Sequence, residues 1–195
     1  MFRSLLSPNR WVAPQYLQVK PVLRVLILGS YSNCALKTLE MLRAYLLAKG
    51  YAQTRLVKEF GFPKKNSGES RSAYNLRKSE YWIPKADALV FVFCSNADNT
   101  GPAYELKHLC DIHYDMAWRC IAGISWTAAI SSLIYGLVDR WSREIQQVFF
   151  KTDTELQDGV RGALTNLLER LYFPAINRQK NEWELFGQDR SLTES

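Results

Sequence analysis

The chain has 195 residues, a formal charge of +6, 47% apolar and 13% aromatic content. Those values fit one globular domain with a sizeable core and exclude disordered and collagen-like classes. The positive charge is spread along the chain, and neither basic–aromatic interleaving nor a known module marks a nucleic-acid reader.

Residues 1–21 hold Pro8, Pro14 and Pro21 and show no period, so they read as an N-terminal arm that packs Trp11 and Tyr16 on the body. Arg3 and Arg10 accompany only Leu5-Leu6, too short for a signal-peptide core. Residues 22–174 read as a single α/β domain. Within it, 24–28 form a buried strand ending at Gly29-Ser30. Leu36, Leu39, Leu42, Leu46 and Leu47 then recur at helical spacing up to Gly50. Residues 54–60 alternate as a second strand. Residues 61–79 read as a loop rich in Gly, Pro, Ser, Lys and Arg, with a short helix near 73–77. The third strand, 88–93, is apolar on both faces, as a central parallel strand must be.

Helix is expected at 103–113 and 128–140, and strand at 119–124 and 147–150. A last helix spans 156–171, with Leu156, Val160, Leu164, Leu167, Leu168 and Leu171 on one face. Pro174 is expected to end it, leaving a polar C-terminal tail over 175–195. Residues 121–138 lack charge for 18 positions, but glycines, serines and a threonine dilute them, so no membrane span is expected.

Strands alternating with helices predict a flavodoxin-like three-layer sandwich, with a five-stranded parallel sheet in order 2-1-3-4-5 and helices on both faces. Strands 1 and 3 then flank the switch point, where ligands bind at the carboxyl ends. Gly29-Ser30-Tyr31 would face residues 94–105 across that crevice. The first turn lacks the Walker lysine pattern and GxGxxG, which excludes a P-loop and a dinucleotide held in the Rossmann manner, and no cofactor is expected.

Cys34, Cys94, Cys110 and Cys120 form no CxxC pair, zinc spacing or disulfide framework, so reduced thiols and a cytoplasmic setting are expected. His108 and His113, five apart, with Asp111 and Asp115, match no metal-ligand spacing, and no metal is expected. Lys64, Lys65, Arg71, Arg77 and Lys78 suit either phosphate contact or a solvated basic loop.

Residues 86–109 carry the chemistry: Ala86-Asp87, the strand, the polar turn Asn96-Ala97-Asp98-Asn99-Thr100-Gly101-Pro102, then Glu105. This stretch resembles the nucleoside 2-deoxyribosyltransferase family, whose pattern is Ala-Asp, a hydrophobic strand, Asp-x-Gly-Thr, and a glutamate four residues after the glycine. Asn99 stands where the turn aspartate would be, with Asp98 one place earlier, and Pro102 replaces the threonine. TIR-type NAD-cleaving domains are a second likeness, through a glutamate on a helix after a similar strand.

The resemblance implies a nucleoside or nucleotide as small-molecule partner and cleavage or exchange at its N-glycosidic bond. Glu105 is the implied carboxylate nucleophile, with Tyr31 holding it in place. Gly29, Ser30, Ser95, Asp98, Asn99 and Gly101 are the expected substrate-binding residues, and Asp87 orients the strand entrance. The basic loop favours a phosphorylated substrate. By analogy with related folds, a homo-oligomer in which Trp183 and Phe186 of the tail reach a neighbour is also implied. The alternative is a non-catalytic nucleotide-sensing or protein-interaction module, in which Glu105 is merely a first-turn carboxylate favoured by the helix dipole.

Overall fold

The computed structural model describes residues 18–128 and 132–188. Five strands, β1 (Arg24–Gly29), β2 (Gln53–Leu56), β3 (Ala88–Phe93), β4 (Cys120–Ser125) and β5 (Gln146–Phe150), form one sheet in order β2-β1-β3-β4-β5. Every neighbouring pair is parallel. The helices are α1 (Asn33–Ala48), α2 (Arg71–Trp82), α3 (Thr100–Ile112), α4 (Ser132–Arg140) and α5 (Asp153–Gln188).

Strand alternation feeds two cores. Val25, Ile27, Val90 and Val92 pack with Leu39, Leu42 and Leu46 of α1 and Leu156, Val160 and Leu164 of α5. Leu26, Leu28, Leu89 and Phe91 pack on the other face with Leu106 and Leu109 of α3 and Ile134 and Val138 of α4. All six residues of β3 are buried. This is the expected flavodoxin-like sandwich, because a parallel strand covered on both faces has no polar side to offer. Asp87 orients the strand entrance as expected: it accepts from the Arg24 backbone N–H (3.0 Å), Nε (2.9 Å) and Nη2 (2.7 Å).

Several elements differ from the sequence reading, among them the helix expected from residue 128, where Ala128 instead closes a turn onto the Ser125 carbonyl (3.0 Å). The second strand stops at Leu56, where Glu59 turns back to accept from the Leu56 N–H (2.8 Å) and a 3₁₀ turn replaces residues 57–59. The segment read as a loop holds α2, a full 12-residue helix whose N-cap Ser70 accepts from the Ala73 N–H (3.1 Å). Only its middle, 73–77, is expected from the sequence, because its buried positions include Lys78 and Ser79 and no apolar stripe marks its full length.

Helix α3 begins at Thr100, which puts Glu105 in its second turn and not its first. The last helix runs past Pro174 to Gln188. A proline costs one helical bond and about 3 kcal/mol, and the good helix formers around it sustain the helix. The segment expected as a polar tail is thus helical as far as Gln188. The expected contacts of Trp11, Tyr16, Trp183 and Phe186 lie outside the described side chains. Residues 121–138 divide into β4, a turn and α4, and among the described residues no helix is long and apolar enough to cross a membrane.

Candidate functional site at the β1–β3 switch point

Gly29 ends β1 against Val92 of β3. A Cβ there would lie 2.8 Å from Leu39 Cδ2 and 3.1 Å from the Val92 carbonyl, so glycine lets α1 seat against the strand. Ser30 is buried and its Oγ accepts from the Ser32 N–H (3.4 Å), which shapes the turn into α1. Tyr31 leaves this turn packed against both cores.

Across the switch point, the turn after β3 is held by Asn99. Its amide donates to the Cys94 carbonyl (3.0 Å) and accepts from the Cys94 N–H (3.2 Å), closing the turn as a strand would. Asn96 takes the left-handed conformation (φ 54°) that a short amide side chain tolerates. Asp98 Oδ1 accepts from the Thr100 N–H (3.0 Å) at the start of α3.

Between these walls lies a cleft of about 400 Å³, within the range of small-molecule sites. Gly29, Ser30, Tyr31, Asp98, Gly101 and Glu105 line it, as the sequence reading expects. Asn75 and Leu76 of α2 join them, together with Thr100, Pro102 and Tyr104 of α3. Ser95 and Asn99 are not part of this lining. Asn99 has both polar ends committed to Cys94, and Ser95 Oγ belongs to a hydroxyl cluster with Ser125 (2.6 Å) and Thr127 (2.5 Å) between β3 and β4. Asn75 and Leu76 lie in the stretch expected as a short helix within a loop, which by itself did not mark them as site residues. Their signal was Ser70 as a cap, followed by residues 75, 76 and 79 on one helical face.

Glu105 is half-buried by area, yet protein atoms crowd its carboxyl. Lost hydration pushes its acid up to about 7, and the hydrogen bond donated by Ser79 Oγ to Oε1 offsets this only in part. Ser79 is 1% exposed, so the bond is sheltered from water. Tyr31 does not hold the carboxyl as the resemblance implied: its hydroxyl is buried without a hydrogen-bond partner among the described residues. Burial first, and then the charge of Glu105, raise the phenol; the nearby backbone amides of Lys58 and Val57 oppose this without well-formed bonds. Asp98, on the exposed rim, is held below the usual carboxylate range by the hydroxyl and amide of Thr100.

Among the described residues, two carboxyl groups and no lysine or arginine line the cleft. Among these same residues, none of the five cations expected to meet phosphate lines the cleft, and two of them are engaged elsewhere. Arg77 is paired with Glu69 (2.7 Å), and Lys78 Nζ, its charge disfavoured by burial, donates to the Lys58 carbonyl (3.3 Å). His108 and His113 stand with ring centroids 6.1 Å apart, and no metal-holding cluster exists among the described residues. Comparison with protein-family models, curated proteins and solved structures finds no match.

Proposed function

We propose that the cleft takes an unphosphorylated nucleoside and that the protein cleaves its N-glycosidic bond, by hydrolysis or base exchange. The observation that carries this is Glu105: a crowded carboxyl with its acid near 7, facing a ligand-sized cleft at the switch point. A solvated or dipole-favoured glutamate needs no such shelter, and Glu105 is beyond the first helical turn.

In this reading the ionised Glu105 attacks the anomeric carbon as the C–N bond breaks. The electron pair leaves with the base, which takes a proton from solvent. The resulting glycosyl ester is then opened by water or by a second base. A poorly hydrated carboxylate gains most from the oxocarbenium charge that develops beside it. Ser79 fixes the orientation of the carboxyl. Asn75, whose amide has no hydrogen-bond partner among the described residues, is suited to a base edge, and Tyr104, 58% exposed on the rim, to stacking. Two carboxyl groups without a facing cation disfavour a phosphate, which reverses the preference expected from the basic loop.

The test is to incubate the protein with nucleosides, nucleoside monophosphates and NAD and to follow free base by chromatography. Release from nucleosides should fall on the order of 10³-fold or more in Glu105→Gln. It should persist in Asp111→Asn, whose carboxylate pairs with Lys107 on the surface. The commitment of Asn99 to Cys94 favours a second reading, a nucleoside-sensing module. No base release together with nucleoside-dependent thermal stabilisation would establish that one instead.

A further inference from the structure

A second concavity lies at the opposite end of β1, away from the cleft. Its floor is Leu26, its wall is Phe60 and Trp82, and Arg24, Arg55 and Lys85 rim it. Phe60 and Trp82 stack with centroids 3.9 Å apart at 17°, and Trp82 Nε1 donates to the Phe62 carbonyl (2.6 Å), so the wall is fixed in place.

The charges around it are uneven. Three neighbouring cations have a carboxylate: Arg43 with Glu59 (2.9 Å), Lys58 with Glu40 (2.5 Å) and Arg77 with Glu69 (2.7 Å). On the rim, Arg24 has Asp87 (2.7 Å). Arg55 and Lys85 have none among the described residues. Arg55 lies 5.9 Å over the Phe60 ring, and Lys85 Nζ sits 3.5 Å over Tyr81 while donating to the Tyr81 carbonyl (3.0 Å). The rim therefore carries two cations without counter-charge beside an apolar wall. The space is about 230 Å³. A cavity of about 150 Å³ accepts benzene, so one ring with one acidic substituent fits and a nucleotide does not.

We propose that this groove binds a single-ring organic anion, with its ring against Phe60 and Trp82 and its carboxylate between Arg55 and Lys85. The site is separate from the cleft and does not depend on the reading of Glu105. An aromatic wall under a guanidinium suits a planar carboxylate, because the fork of Arg55 can meet both oxygens while the ring covers apolar surface.

Benzoate is the probe, with benzyl alcohol as its uncharged counterpart, each titrated into the full chain by calorimetry and by NMR of the indole N–H signals. Benzoate of about nine heavy atoms should bind with a Kd on the order of 1 mM. It should shift the Trp82 indole signal, identified through Trp82→Phe, and bind about tenfold tighter than benzyl alcohol. Arg55→Gln, an exposed change that leaves the core intact, should weaken benzoate about tenfold, and Glu105→Gln should leave it unchanged. Equal binding of the two probes, indifference to Arg55→Gln, or a Trp82 signal that does not move would each overturn the proposal.

Discussion

Glu105 and Ser79 make a pair whose cost and use are both measurable. An acid at about 7 in the folded chain against an ordinary 4.5 is a linkage to stability. Because the folded value is the raised one, the stability is fully present below 4.5 and is lost as pH rises through about 7. The shift corresponds to roughly 3 kcal/mol at alkaline pH. Glu105→Gln keeps the acceptor for Ser79 and removes the charge. Urea denaturation should find it more stable than the native chain by up to roughly 3 kcal/mol at pH 8 and no different near pH 4. Ser79→Ala removes the one bond that favours the anion, so the limb of the pH–rate profile set by Glu105 should move to higher pH. A profile that stays put would show that Ser79 does not govern the carboxyl.

Among the elements, the two glycines of the cleft play opposite parts. Gly29→Ala drives a methyl into Leu39 and the Val92 carbonyl, and should cost about 1–3 kcal/mol in chemical denaturation. Gly101 has open space about its missing Cβ and lies within α3, so Gly101→Ala should be neutral or stabilising by up to about 1 kcal/mol. Its effect should be felt instead in substrate KM, because the new methyl borders the cleft. Asn99→Ala strips both partners from the Cys94 backbone in a buried turn and should cost about 1–3 kcal/mol, with the position of Asp98 loosened along with it. Asn99, which stands where the resemblance implied an aspartate, is the residue that holds this turn.

For the whole molecule, stability is centred on β3 and thins toward the edge. Phe91 is fully buried in the central strand, and Phe91→Ala should cost about 3–5 kcal/mol in urea denaturation. Phe149 on the edge strand is 44% exposed and touches Trp126 at a centroid distance of 5.1 Å, so Phe149→Ala should cost no more than about 1 kcal/mol. The charge of +6 is likewise uneven: the cleft holds acids only, while uncompensated cations collect at the other end of β1.

The order of elements, the central strand and the switch point were legible in the sequence because they rest on local signals. An apolar run such as Ala88–Phe93 can be satisfied only between two layers, and parallel neighbours joined by helices leave few topologies. The position of Glu105 near Gly29 and Tyr31 follows from that order. What supports its carboxyl could not be read locally, since Ser79 lies 26 residues away on a helix whose buried face is polar. The amide of Asn99 looked available for a ligand until the turn closed on it, and the basic loop looked apt for phosphate until Glu69 took Arg77. The sequence alone determined which residues could carry charge and where the crevice lies. Only the tertiary structure decided which of those charges are already spent, because a hydrogen bond or ion pair has no period in the sequence: its partner can lie five residues away, as Cys94 does from Asn99, or 26, as Ser79 does from Glu105.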